Sequence, residues 1–333
     1  MTQKSVDVKV SVVYTPNMAA QILIGDCLKS LAMLPPESVQ CCVTSPPYYG
    51  LRDYGHKEQI GLEETPDEYV AKMVEVFREV RRVLRKNGTL WLNLGDTYAG
   101  SGKGADANKT TQKETYAPDP DSPQMRMSKT PPGCKPKDLI GIPWMTAFAL
   151  RADGWYLRQD IIWHKPNAMP ESVTDRCTKA HEYIFLLSKS AKYFYDHEAV
   201  KEPCVYRSTG VHRFGGSKYG NSDDPKHRTK SGNVYDNRET RNRRSVWTIT
   251  TKPFKGAHFA TFPPDLVEPC ILAGCPEGGT VLDPFGGSGT TALVAIQHRR
   301  EAILCELNPE YAAMAQERID MAEDKAAAML FAV

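Results

Sequence analysis

TVLDPFGGSGTTALVAIQH, residues 280–298, reads as an apolar strand, a glycine-rich turn and a helix in immediate succession. Thr280 to Asp283 has the composition of a buried strand, and Gly289 to His298 that of a buried helix. Glycines between a strand and a helix let the backbone come close to a ligand, and the helix start offers free N–H groups. Three readings of the turn compete. A phosphate-binding P-loop ends in Gly-Lys-Ser/Thr; the lysine is missing, so that reading falls. A dinucleotide loop wants Gly-x-Gly-x-x-Gly or the looser form ending in Ala, which Gly287, Gly289 and Ala292 meet. The third reading is a tight turn with no ligand. Glu306 ends the next strand candidate, Ala302 to Glu306, 23 residues after Asp283. A carboxylate there can accept two hydrogen bonds from ribose hydroxyls. Loop and acid together predict a nucleoside-containing cofactor.

The N-terminal half carries a second strand-end motif. Gln21 to Gly25 is a short apolar run, Asp26 to Leu34 follows with helical spacing, and Val39 to Thr44 is the next strand candidate. Strand, helix, strand in that order predicts a parallel pair. The second strand runs into Thr44-Ser45-Pro46-Pro47-Tyr48. Consecutive prolines hold the chain extended and have no N–H. A hydroxyl, a free carbonyl and an aromatic face therefore sit within four residues. That set suits a planar amine-bearing ring, which needs two acceptors and a stacking platform; a plain Pro-Pro turn is the bland alternative. Open α/β sheets bind ligands at the C-terminal ends of their strands, which favours the first reading.

The rest of the chain frames these motifs. Thr65-Pro66-Asp67-Glu68 is a capping box with Pro at the first helical position. Tyr69, Val70, Met73, Val74, Phe77, Val80 and Leu84 then recur as one apolar stripe. Arg81, Arg82, Arg85 and Lys86 fall at its C-terminal end, and Asn87-Gly88 predicts the stop. Thr89 to Leu94 reads as a strand. Residues 100–136 lack apolar periodicity and predict a long loop, mobile or functional. Residues 139–150 resume a helix after Pro143. Trp155 to Trp163 and Tyr183 to Leu187 read as strands, and Pro309 to about Ala322 as the last helix. Between Arg207 and Arg244 there are ten Lys and Arg against four acids, in a segment rich in Gly, Ser and Asn. A solvated loop and a phosphate-tracking surface both fit that pattern.

Composition sets the outer limits. The chain has 333 residues, 41% hydrophobic and 25% charged, which is globular. No apolar run approaches the roughly 18 residues that span a bilayer, so no membrane association is expected. The first fourteen residues lack the apolar core of a signal peptide. Nine scattered cysteines with no C-x-x-C pair argue against a zinc site and fit reduced thiols, so the expected location is cytoplasmic and no metal is expected.

The pair DPFGGSGTT and TSPPY resembles the S-adenosylmethionine-dependent amino-methyltransferases of DNA. The proline motif precedes the glycine motif by 239 residues, the order of the circularly permuted beta class. The likeness runs from ILIGD at 22–26 to ELNPEYAAMAQERI at 306–319, through SPPYYGLRDYG, DIIWHKPN and HFATFPPDLV. It implies a Rossmann-like, doubly wound α/β fold: a mostly parallel sheet with helices on both faces. By resemblance, Asp283, Phe285, Gly287, Ser288, Gly289 and Thr290 form the cofactor loop, with Asp283 near the methionine ammonium. Glu306 matches the ribose-binding acid and Asp26 the acid that reads the adenine amino group. Phe259 and Thr261 lie in HFATFP, the segment that closes over the methionine end. Ser45, Pro46, Pro47 and Tyr48 match the catalytic motif, acting on a base extruded from double-stranded DNA.

Ser at position 45 is frequent in the cytosine-N4 enzymes of this family and Asp in the adenine-N6 enzymes. The expected product is N4-methylcytosine, with adenine N6 as the alternative. RNA or protein amino-methyltransferases mostly place the glycine motif first and carry Asn at the Ser45 position. A catalytically dead DNA-binding relative is opposed by both motifs being intact. The resemblance implies three regions: 1–196 as the catalytic part of the core, 197–245 as the target-recognition region, and 246–333 as the cofactor-binding part. Arg207, Arg213, Lys218, Arg238, Arg241, Arg243 and Arg244 are the candidate DNA-binding residues. Methylation of this kind belongs to restriction-modification, which leaves room for a cognate restriction endonuclease and for a homodimer.

Overall fold

The computed structural model describes residues 11–13, 20–51, 56, 58–100, 130–204, 239–251 and 262–331. The chain divides into two compact units, Met1–Asp196 with Ser245–Val333, and His197–Arg244. Among the described residues of the larger unit nine strands form one sheet: β1 (Ser11–Val13), β2 (Ala20–Ile24), β3 (Val39–Thr44), β4 (Leu84–Leu94), β5 (Tyr156–His164), β6 (His181–Ser188), β9 (Val246–Thr248), β10 (Thr280–Asp283) and β11 (Glu301–Glu306). Their order is β1-β2-β11-β10-β3-β4-β6-β5-β9. The central run from β2 to β4 is parallel throughout. The smaller unit holds a two-residue antiparallel pair, β7 (Glu202–Pro203) and β8 (Thr240–Arg241).

Among the described residues, six helices cover the sheet in two packed groups. One is α1 (Cys27–Met33), α2 (Pro66–Val83) and α3 (Ile142–Ala152); the other is α4 (Pro264–Gly274), α5 (Thr290–Gln297) and α6 (Pro309–Phe331). All six residues of β3 are buried, as expected for a parallel strand covered on both faces. No helix among the described residues is long and apolar enough to cross a membrane.

The topology brings the two motifs together. From β10 the chain passes through α5 to β11 on one side; from β3 it passes through α2 to β4 on the other. The winding reverses between β10 and β3, and at such a point the loops after both strands splay apart and leave a crevice. The DPFGG loop follows β10 and the SPPY loop follows β3, so residues 239 apart in sequence share that crevice.

Helix α2 begins as its sequence predicts. Glu68 N–H donates to Thr65 Oγ1 (3.2 Å) and Thr65 N–H to Glu68 Oε2 (3.0 Å). Its end differs. The helix stops at Val83, Leu84 is already extended, and Arg85 to Gly88 belong to β4 rather than to the last helical turn. Pairing with β3 decides this. Leu84 lies opposite Val39, and a Cβ on Gly88 would sit 3.0 Å from the Gln40 carbonyl. The glycine thus admits a neighbouring strand instead of terminating a helix.

Candidate functional site

Thr44 and Asp283 end the two adjacent strands and are bonded to each other. Thr44 Oγ1 donates to Asp283 Oδ1 at 2.6 Å, Thr291 Oγ1 to Oδ2 at 2.7 Å, and the Phe285 N–H to Oδ1 at 3.0 Å. Burial pushes the Asp283 carboxyl above its ordinary range, against the lowering effect of these three donors. Asp283 is fully buried and does not line the cavity. Its carboxylate is turned inward and ties the proline loop, the glycine loop and helix α5 into one unit.

The glycine loop is fixed from three sides. Gly286 N–H donates to the Cys305 carbonyl (2.8 Å), and Gly287, at φ 51°, donates its N–H to Glu306 Oε2 (2.7 Å). Gly289 lies at φ 78°, where a Cβ would also meet that of Ala315 at 2.9 Å. It serves the packing of α6 and does not line the cavity. From α6, Arg318 donates to the Ser288 carbonyl and to Ser288 Oγ (2.9 Å). Glu306 Oε1 accepts from Asn308 N–H (2.8 Å), so each carboxylate oxygen keeps one further lone pair. Burial raises the Glu306 carboxyl above its ordinary value. Asp26 caps α1, accepting from Lys29 N–H at 3.0 Å.

These groups surround a cavity of about 310 Å³. Asp26, Phe285, Gly287, Ser288, Thr290 and Glu306 line one part of it, and Ser45, Pro46, Pro47 and Tyr48 another. Phe259 and Thr261 lie outside the described residues.

Among the lining residues that sequence does not single out are Asn93, Trp163, Lys165 and Glu182. They form a polar cluster around Tyr48. The Tyr48 hydroxyl lies 2.7 Å from Glu182 Oε2 and 3.1 Å from Asn93 Oδ1. Asn93 Nδ2 donates to Glu182 Oε2 (3.2 Å) and to the Tyr183 carbonyl (3.1 Å). Lys165 pairs with Glu182 Oε1 and stands over the Trp163 ring at 4.2 Å. Ser45 Oγ donates to the Tyr48 oxygen at 3.4 Å. Burial, then the Glu182 charge, holds the Tyr48 phenol well above its ordinary value, so it stays protonated. The signal was a polar residue inside each of two apolar strands, Asn93 in TLWLNL and Glu182 in HEYIFLLS.

The Pro47 carbonyl accepts from the buried Tyr69 hydroxyl at 2.9 Å, whereas no donor among the described residues reaches the Pro46 carbonyl. The Tyr48 ring rests on Gly95, where a Cβ would lie 2.5 Å from Cε2.

The basic segment is only partly described; Arg207, Arg213, Lys218 and Arg238 lie outside the described residues. Within the smaller unit Arg241 Nε pairs with Glu202 at 2.8 Å and Arg244 pairs with the same carboxylate, and Arg243 lies between them in sequence. Glu202 stays below its usual range because these two arginines outweigh its desolvation. Arg241 and Arg244 thus already have a partner for part of each guanidinium. In the larger unit the base of the 100–136 excursion is closed by backbone pairing, with Ala99 N–H on the Asp138 carbonyl and Lys137 N–H on the Ala99 carbonyl, both 2.8 Å. Residues 101–129 lie outside the described residues.

Comparison with known proteins identifies the family and the fold. The DNA methylase family matches residues 39–317. The type II methyltransferase M.XycI of Xanthomonas campestris pv. cyanopsidis is 49% identical, over 89% of this chain and 86% of its own. M.Cfr9I of Citrobacter freundii is 48% identical, over 90% and 87%. Among solved structures, PvuII DNA methyltransferase (cytosine-N4-specific) superposes with a TM-score of 0.60 at 21% identity, over 92% of this chain and 90% of its own. The Thermus thermophilus protein TTHA0409, solved with S-adenosyl-L-methionine, gives 0.53 at 24%, over 90% and 94%. At those identities the structures speak for the fold. The sequence relatives and the family match, covering most of the chain, go further: this chain belongs to the N6/N4 DNA methylase family, whose members methylate exocyclic amino groups in DNA.

Proposed function

We propose that the chain is a site-specific DNA methyltransferase that takes its methyl group from S-adenosylmethionine and delivers it to N4 of a cytosine extruded from the duplex. The observation that carries the base assignment is Ser45, a hydroxyl on the cavity wall at the end of β3, where the cofactor loop and the proline loop meet.

The cavity residues fit the cofactor. Glu306 retains a lone pair on each oxygen for vicinal ribose hydroxyls, Phe285 offers an apolar surface, and Asp26 supplies an acceptor for an amino group. S-adenosylmethionine supplies an electrophilic methyl carbon on a sulfonium. What the chain supplies is position. An exocyclic amine is a poor nucleophile because its lone pair is delocalised into the ring. Ser45 Oγ and the Pro46 carbonyl accept its two hydrogens, which favours a tetrahedral nitrogen with an exposed lone pair. Positive charge grows on that nitrogen, so prepositioned acceptors stabilise the transition state most. Fixing nitrogen and carbon in line contributes a further share. Tyr48, braced on Gly95, gives the extruded base a stacking surface.

The smaller unit, His197–Arg244, is the proposed target reader, with residues 1–196 and 246–333 forming the two parts of the methyltransferase core. The type II methyltransferase names of its relatives support a role in restriction-modification, and a cognate endonuclease is the partner this reading proposes. Incubating plasmid DNA with isotopically labelled cofactor, then hydrolysing it and weighing the nucleosides, tests the reading. Labelled N4-methylcytosine is expected. Labelled N6-methyladenine overturns the base assignment, and unlabelled DNA overturns the activity.

A further inference from the structure

Methyl transfer leaves a chemical problem that Ser45 cannot solve alone. The amino nitrogen forms its bond to the methyl carbon as the carbon–sulfur bond breaks, so sulfur becomes neutral and nitrogen becomes positive with both hydrogens still attached. One must leave. A serine hydroxyl and a proline carbonyl can accept hydrogen bonds but keep no proton at neutral pH.

We propose that Ser45, Tyr48 and Glu182 form a hydroxyl relay that carries this surplus proton to the Glu182 carboxylate. The idea rests on the reading of Ser45 as acceptor for the amino group. Its basis is the direction of the hydrogen bonds. Tyr48 has one proton and two oxygens within reach, Glu182 Oε2 at 2.7 Å and Asn93 Oδ1 at 3.1 Å. The shorter contact is to the carboxylate, and hydrogen bonds to an ionised acceptor are the stronger ones. Committed there, the Tyr48 oxygen can only accept from Ser45, 3.4 Å away. The Ser45 proton then points at Tyr48, and its lone pairs face the cavity. Glu182 thus sets the polarity of the whole chain and makes Ser45 an acceptor.

Of the carboxylates lining the cavity, Asp26 caps α1, Glu58 pairs with Lys29, and Glu306 holds the glycine loop. Among these, Glu182 is the one that hydroxyls link to Ser45. The step balances. The N–H bond breaks as Ser45 Oγ takes that proton, the proton of Ser45 passes to the Tyr48 oxygen, and that of Tyr48 passes to Glu182 Oε2. A cation and a carboxylate become a neutral methylated base and a neutral acid. The acid then returns its proton to water, to which the Glu182 side chain is 16% exposed. Lys165 and Asn93 hold the carboxylate in place.

Single-turnover methylation of a cognate duplex by the full-length enzyme tests the relay, with cofactor and DNA affinities measured on each variant. Tyr48→Phe keeps the ring and removes only the hydroxyl; Glu182→Gln removes the terminal acceptor. Each should slow the transfer by about 10²-fold or more, the lower range of general acid–base catalysis, with both affinities within about twofold. The double variant should be no slower than the slower single one, because members of one relay are not additive. Glu182→Asp should recover part of the rate. If Tyr48→Phe transfers at the wild-type rate while Ser45→Ala is slow, the relay is wrong and the Ser45 reading stands. If Ser45→Ala keeps full rate, both fall. Tyr48→Phe decides even if Glu182→Gln fails to fold.

Discussion

Glu306 and Asp283 show how two acids at the ends of neighbouring strands divide their work. Asp283 is fully buried and faces three donors from its own protein, while the partly buried Glu306 spends one lone pair per oxygen on the backbone and presents the rest to the cavity. Replacing Glu306 by Ala should weaken cofactor binding by at least one charge-assisted hydrogen bond, about 1.5–3 kcal/mol, or roughly ten- to a hundredfold in affinity. Titration calorimetry checks this, and an unchanged dissociation constant would remove the ribose assignment. The position of Glu306 was legible because a strand, a glycine turn and an acid about twenty residues on are local features. The inward turn of Asp283 was not. It depends on Thr44, 239 residues away, and only the pairing of β3 with β10 makes that contact. The Tyr48 cluster was hidden for the same reason, since Asn93 and Glu182 come from β4 and β6.

Elements were read well where a local signal sets them and poorly where a neighbouring strand does. The capping box gave the start of α2 because its hydrogen bonds lie within four residues. Its end went astray because Asn87-Gly88 is a good helix stop in isolation, whereas alignment against β3 claimed those residues first. Two other glycines mark where elements approach too closely for a side chain. At Gly274, ending α4, a Cβ would meet Trp91 Nε1 at 2.5 Å and Cys41 Sγ at 2.7 Å. Those are core atoms of β3 and β4 with little room to move. Gly274→Ala should therefore cost about 1–3 kcal/mol by overpacking, read as a lower midpoint in denaturant unfolding, with cofactor affinity kept. At Gly95 the colliding atoms belong to the Tyr48 ring, which can swing into the cavity. Gly95→Ala should lower methylation more than it lowers the melting temperature. A variant as active as wild type would mean that the Gly95 contact does not position Tyr48.

At the scale of the molecule, the change in composition near residue 197 and the separate compact unit His197–Arg244 coincide. What composition could not show is that part of the positive charge is spent internally, since Arg241 and Arg244 converge on Glu202. Neutralising those two would confound two effects, because it also strips Glu202 of its partners. The cleaner test of phosphate contact uses Arg207, Arg213 and Lys218, which carry part of the excess of ten basic over four acidic side chains between 207 and 244. Each phosphate neutralised by a protein cation releases counterions, so the logarithm of the DNA association constant falls against the logarithm of salt by about 0.9 per contact. Changing all three to Gln should flatten that slope by up to about 2.7 if each touches a phosphate, and weaken binding most at low salt. Cofactor affinity should not change, because the cofactor residues belong to the larger unit. Fluorescence anisotropy of a cognate duplex across a salt series gives the slope directly. If it stays at the wild-type value, these three side chains touch no phosphate, and the phosphate contacts must be sought elsewhere on the chain.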